Sequence, residues 1–234
     1  MNNIPKSIAI IPDGNRRCAR RLMVQPWKGH EWGAEKVKEV FGWCKELDIK
    51  NLTIYALSLE NINSRPKIEL NHLFNIARRE FRDVNINPKH FVHRDKVRLY
   101  FFGDISKLPK DLQEEMRKAA EKTKKYSDYR INYAVAYGGR QEILTACKRL
   151  AAECADPSSI TENMFKHSLQ TNGMVVEPDL ILRTGGEKRL SNFLLFQSAY
   201  SELSFIEPFW PDLKKEDFVA VIKDYSNRKR RFGK

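Results

Sequence analysis

Apolar and polar positions along the chain alternate between two periods. Ser7-Ile-Ala-Ile-Ile11 is a short unbroken run that predicts a strand buried on both faces. Helical spacing follows over 31–47, where Val37, Val40, Phe41 and Cys44 share one side. A second strand is predicted over 52–57, then a helix after Arg65-Pro66 whose apolar face is Leu70, Leu73, Phe74, Ala77 and Phe81. The alternation continues with strands over 97–102 and 129–136, the latter ending in a Gly138-Gly139 turn, and helices over 111–125 and 141–154. Strands over 178–182 and 203–205 and helices over 193–200 and 214–230 complete the pattern. Strands regularly separated by helices imply an α/β fold, a central mainly parallel sheet flanked by helices. Ligands in such sheets collect at the carboxyl ends of strands.

With 234 residues, 41% of them hydrophobic, and no repeat or linker that divides it, the chain reads as one domain over 1–234. Forty-two Lys and Arg against thirty Asp and Glu leave +12 charges, which favours anionic partners: nucleic acid, acidic lipid or phosphorylated metabolites. Nucleic acid is set aside, because neither zinc-finger spacing nor an RNA-recognition aromatic motif is present. Cys18, Cys44, Cys147 and Cys154 form no C-x-x-C pair, and no secretory leader is visible, so a reducing, cytoplasmic setting is expected. No run of about 18 apolar residues occurs, which excludes a spanning helix and leaves peripheral membrane contact open.

Three predicted strand ends carry groups suited to anions. Pro12-Asp13-Gly14-Asn15-Arg16-Arg17 combines a carboxylate for Mg²⁺, backbone that phosphate can approach closely, and two planar guanidinium forks. Ser58-Leu59-Glu60-Asn61 leads to Arg65, and Arg183-Thr184-Gly185-Gly186-Glu187 leads to Arg189 and Ser191. Each alone is also a plain capped turn with solvated arginines.

Taken in order, the stretches Ile10 to Asn15, Gly29-His30, Leu52 to Ala56, Ser58 to Asn61, Tyr137-Gly-Gly-Arg140, Arg183 to Glu187, Ser191 to Leu195, Trp210-Pro-Asp212 and Arg228 to Gly233 resemble the cis-prenyltransferases. The best-known members of that family are undecaprenyl diphosphate synthases. The resemblance implies a fold with a hydrophobic tunnel, a Mg²⁺ cofactor, and condensation of an allylic prenyl diphosphate with isopentenyl diphosphate. It implies that Asp13 and Glu202 serve the metal and that Asn61 guides proton removal. Gly14, Asn15, Arg16, Arg17 and His30 would surround the allylic diphosphate, with Ser58, Glu60 and Arg65 at the reacting end. Arg183, Arg189 and Ser191 would take the diphosphate of isopentenyl diphosphate. Members pair as homodimers, and Arg231-Phe232-Gly233 retains the tail that reaches a neighbouring site.

The match departs from the family pattern at Arg16, Cys18, Pro26 and Lys188, and Asn63-Ser64 is one residue longer than usual. Altered substrate choice follows more readily from these changes than loss of fold. Irregular condensation of two allylic diphosphates and a catalytically silent partner subunit are therefore the alternatives. The tunnel is expected along the 70–81 helix face and Tyr129, Tyr133 and Tyr137. The Tyr129 ring, flanked by Phe74 and Phe81, predicts a short product.

Overall fold

The computed structural model describes residues 3–154, 156–173 and 175–228. In chain order these form β1 (Ser7–Ile11), α1 (Asn15–Arg21), α2 (Pro26–Glu46), β2 (Asn51–Ser58), α3 (Leu59–Ser64), α4 (Lys67–Ile86) and α5 (Phe91–Arg94). There follow β3 (Val97–Phe102), α6 (Lys110–Thr123), β4 (Tyr129–Tyr137), α7 (Gly139–Glu153), α8 (Glu162–Ser168), β5 (Leu180–Arg183), β6 (Glu202–Phe205) and α9 (Lys215–Asn227). The strands make one sheet in the order β3-β4-β2-β1-β5-β6, and every pairing is parallel.

β1 lies at its centre, and its five residues are all buried, as a strand covered on both faces requires. Ile8 and Ile10 enter one hydrophobic cluster with Ile54, Leu180 and Leu182, while Ala9 and Ile11 enter the other with Tyr55, Ile181 and Phe193. The period of two thus divides the core into two layers. The chain leaves β1 toward β2 on one side and later returns to β5 on the other. Their carboxyl ends flank the switch point at which ligands bind in open parallel sheets.

Three segments differ from the pattern reading. α2 begins at Pro26, five residues before the expected start; proline presets the first helical turn, and Gly29 lets α1 approach so closely that an added Cβ would lie 2.0 Å from the Asn15 carbonyl oxygen. α1 itself escapes the pattern, because only Cys18 and Ala19 of its seven residues are buried. The helix expected over 193–200 is absent. Ser191, Asn192 and Leu194 have φ of 50°, 64° and 44°, outside the right-handed region. Tertiary hydrogen bonds win over local preference there: Gly139 N–H donates to the Asn192 carbonyl (2.7 Å) and Arg140 N–H to Asn192 Oδ1 (2.8 Å).

Candidate active site

The carboxyl ends of β1, β2 and β5 open into a polar chamber of about 600 Å³. Asp13 is part of its lining. Its Oδ1 accepts from Gly14 N–H at 2.6 Å and its Oδ2 from Arg183 at 2.8 Å, while Arg17 approaches Oδ1 at 3.2 Å. Partial burial pushes the carboxyl pKa up, but Arg183 and then Arg17 outweigh that and hold it below the ordinary carboxylate value. The backbone is fixed as firmly: Asp13 N–H donates to the buried Thr184 hydroxyl (3.0 Å), which donates to the Asp13 carbonyl (2.8 Å). Gly14 turns the chain with φ 102°, where a Cβ would meet the Phe209 ring at 2.6 Å, so both conformation and space require glycine.

Arg183 is the most deeply seated cation of the chamber, with a side chain 4% exposed. It also donates to Ser191 Oγ (2.7 Å) and to the Arg189 carbonyl, so the turn after β5 is built around it. The Arg183 Nε is buried without a hydrogen-bond partner.

A second group lies across the chamber. Buried His30 places Nε2 3.0 Å from Glu69 Oε1, and Arg65 lies 3.3 Å from the same oxygen. Burial lowers the His30 pKa, with Arg65 adding to that and the hydrogen bond to Glu69 opposing it. Ser58 accepts from Asn61 N–H at 3.0 Å, which caps α3 and presents Asn61 to the chamber. Glu60 accepts from Asn192 Nδ2 at 2.7 Å.

The structure therefore brings Asp13, Asn15, His30, Ser58, Glu60, Asn61, Arg65, Arg183 and Ser191 to one chamber wall. Gly14, Arg16, Arg17 and Arg189 are placed behind or beside it. Arg16 reaches toward Glu69 (3.8 Å), Arg17 bridges Asp13 and Glu187, and Arg189 pairs with Glu187 with its side chain 60% exposed. Glu202 is not brought to Asp13 within one chain. It opens β6 opposite Leu180, three residues or about 10 Å of strand before the level of Arg183, and its carboxylate pairs with Arg228 at 2.8 Å. Among the lining residues with charged or amide side chains, two were not among the expected site residues: Arg140, at the start of α7, and Asn192, from the left-handed turn. Arg140 was visible in the Tyr137-Gly-Gly-Arg140 stretch, between the glycine turn and the helix expected from 141, where no site role was given to it. Arg231-Phe232-Gly233 lies outside the described residues.

Below the chamber runs an apolar tunnel of about 160 Å³ between α2, α4, α6 and the sheet. Chamber and tunnel share Pro12, Asn15, His30 and Ala56, so a ligand can hold its charged head in one and its tail in the other. Phe74, Phe81 and Tyr133 line the tunnel as expected; Tyr129 and Tyr137 do not. Tyr129 packs edge-on against Phe41 (5.6 Å) outside the tunnel, which removes it as the stop for a short product. Tyr137 is turned into the opposite core layer because the β2–β4 register skips Ala136, whose φ is 52°.

Among the described residues no three His, Cys, Asp or Glu side chains cluster to hold a metal ion. The donor set present is the ionised carboxylate of Asp13, which fits Mg²⁺ in the mode in which one protein carboxylate and substrate phosphates share the ion. Among these residues no helix is long and apolar enough to cross a membrane.

The sequence profile described as "Putative undecaprenyl diphosphate synthase" matches residues 11–233. A relative from Pyrobaculum aerophilum is 45% identical over 233 residues, 99% of this chain and 97% of its own. One from Methanopyrus kandleri is 43% identical over 99% of this chain and 85% of its own. Both are tritrans,polycis-undecaprenyl-diphosphate synthases, geranylgeranyl-diphosphate specific. Among solved structures, lavandulyl diphosphate synthase from Lavandula x intermedia, in complex with dimethylallyl diphosphate, matches with TM-score 0.91, 34% identity and 99% coverage of both chains. A probable undecaprenyl diphosphate synthase from Campylobacter jejuni matches with TM-score 0.80, 34% identity and full coverage of both. With its parallel sheet, its cationic chamber and the apolar tunnel beneath, the chain belongs to the undecaprenyl diphosphate synthase family of prenyltransferases.

Proposed function

We propose that this enzyme extends an allylic prenyl diphosphate with isopentenyl diphosphate, that its primer is of the geranylgeranyl class used by its relatives, and that Mg²⁺ is its cofactor. The observation that carries the reading is the joined pair of cavities, a cationic chamber for diphosphates opening onto a tunnel for hydrocarbon. In the reaction the bond from the allylic carbon to diphosphate breaks, and the double bond of isopentenyl diphosphate supplies the electron pair for the new carbon–carbon bond. A proton then leaves the added unit and sets the new double bond. The residues meet the negative charge of the departing group: Arg65 and Arg140 face the chamber, and Arg183 stands against Asp13 ready to exchange its carboxylate partner for phosphate oxygens. Asn61, an amide and a poor base, orients the proton's path toward diphosphate. Mg²⁺, held by Asp13 together with substrate phosphate, would neutralise part of that charge. Ser191 extends the acceptor's diphosphate site, and Arg189 stands outside it, paired with Glu187. A homodimer is the assembly in which Glu202 and the 231–233 tail can serve a neighbouring copy. Membrane contact would be confined to product release.

The test is incubation with labelled isopentenyl diphosphate and geranylgeranyl diphosphate, with Mg²⁺ and with chelator, followed by mass analysis of the products. Metal-dependent addition of five-carbon units is expected. A chain that incorporates no label with any allylic primer overturns the reading. The irregular condensation is a second reading, favoured by the TM-score of 0.91 to lavandulyl diphosphate synthase. Product from dimethylallyl diphosphate alone, with no isopentenyl diphosphate supplied, would select it.

A further inference from the structure

Two charged side chains sit in the apolar wall of the tunnel. Lys38 of α2 and Glu80 of α4 both line it and face each other, Nζ to Oε2, at 3.1 Å. Glu80 is held from its other side by the buried His90, Nε2 to Oε1 at 3.2 Å, and Asp83 stands 3.8 Å from the same ring nitrogen. Glu35 approaches Lys38 at 3.7 Å. Burial pushes the Lys38 pKa down and that of Glu80 up, but the partners outweigh burial in both, so the pair stays ionised. A partly buried ion pair is a weak source of stability compared with apolar side chains of the same volume, so packing does not explain its presence in this wall.

The outer side of the wall does explain it. A groove of about 550 Å³ lies there, floored by Phe41, Phe91 and Tyr129. Lys38 and Phe91 line both the groove and the tunnel, so a partition one side chain thick separates the two spaces. The tunnel itself is small, about 160 Å³. Lys38 hangs on a flexible four-carbon stem, and its side chain is already 33% exposed, so it can leave Glu80 without losing contact with water.

We propose that the Lys38–Glu80 pair is the length-determining partition of this enzyme: it stops the apolar tail of the growing product, and, when displaced, admits that tail to the groove over Phe41, Phe91 and Tyr129. This rests on the chain-extension reading above. The groove's floor suits hydrocarbon, since its three rings form one contiguous surface, Phe41 tilted against Phe91 at 5.2 Å and edge-on to Tyr129 at 5.6 Å between centroids.

Two substitutions act on opposite sides of the partition. Lys38→Met keeps the stem and removes the charge, so the tail meets no ion pair. Gly42→Phe fills the groove from α2 without touching the tunnel, because a Cβ at Gly42 meets nothing within 4 Å. Each purified enzyme is given geranylgeranyl diphosphate and excess labelled isopentenyl diphosphate, and the product-length distribution is read by mass, with melting temperature measured alongside. The expected result is a distribution at least one isoprene unit longer for Lys38→Met and at least one unit shorter for Gly42→Phe. Unchanged lengths in folded variants that still incorporate label, or a shift opposite to either direction, overturn the proposal. Should Lys38→Met fail to fold, Gly42→Phe decides alone. Failure of the unsubstituted enzyme to incorporate label would instead sink the chain-extension reading.

Discussion

The chamber and the tunnel meet at four residues yet are built by different physics. In and beside the chamber several cations are held by carboxylates that substrate must displace or share: Arg183 on Asp13, Arg65 on Glu69, and, beside it, Arg17 between Asp13 and Glu187. The tunnel wall is held mainly by ring and aliphatic packing, Phe81 standing edge-on to Phe101 at 4.8 Å and to Tyr133 at 5.5 Å. Preorganised charge acts on a transition state, so changes in the chamber should appear in rate. Packed volume acts on what fits, so changes in the tunnel should appear in product length and stability.

The hardest test of that division is Asp13→Asn, which keeps the size and an acceptor for Arg183 but removes the charge. Turnover should fall by roughly a hundredfold or more while the variant stays folded, as for loss of other electrostatic groups. Steady-state rates and circular dichroism check both halves. Retention of turnover within about threefold, a loss far below that of electrostatic groups, would break the comparison at its strongest point.

Next in size is the contrast between two arginines from one turn. Arg183→Ala should raise the KM for isopentenyl diphosphate on the order of tenfold or more, because it removes a charge-assisted contact from a water-poor site. Arg189→Ala should change it little, since that side chain is 60% exposed and paired with Glu187. Equal effects would mean that the turn after β5 rearranges around substrate.

How much of this was legible in the sequence depended on whether a residue's position follows from its own element. Asp13 and Arg183 could be placed together because one follows and the other ends a buried strand, and parallel register carries Ile11 to Arg183. Helices with a continuous apolar face, α4 above all, were readable from spacing. Tyr137 was not, because the residue skipped on β4, Ala136, reverses its face and leaves no trace in the pattern. Nor was the turn after Ser191, whose left-handed Asn192 is held by Arg140 of α7, 52 residues away in sequence. Arg140 escaped notice for the same reason: its backbone N–H is tied to Asn192, a contact remote in sequence.

A tunnel variant should act differently from either arginine. Phe81→Ala empties a site only 6% exposed, so it should cost about 3–5 kcal/mol of stability, as large-to-small aromatic changes in cores do. Because the ring also lines the tunnel, products should lengthen in the folded fraction. Chemical denaturation and product mass check the two effects separately. A stability loss with no change in length would leave Phe81 a core residue alone, with no share in setting product length.

The smallest effect is expected where the two regions meet. His30 lines both cavities, and burial holds its pKa below the ordinary 6.5. The unfolded chain therefore takes up a proton at this position as pH falls through about 6.5, while the folded chain does not until lower pH. Stability from this residue is complete above 6.5 and declines as pH drops from there toward the depressed folded value. Asp13 loses its own contribution only at more acid pH, below its unfolded value of 3.8, because its folded pKa is also lowered. The interval from 6.5 down to the carboxylate range thus isolates the histidine. His30→Gln keeps a hydrogen bond toward Glu69 and cannot titrate, so its denaturation midpoint should fall less steeply across that interval than that of the parent enzyme, at fixed protein concentration. Parallel slopes for the two proteins would show that the His30–Glu69 contact binds a proton equally in both states, and the junction would then be a hydrogen-bonded spacer with no electrostatic share in either region.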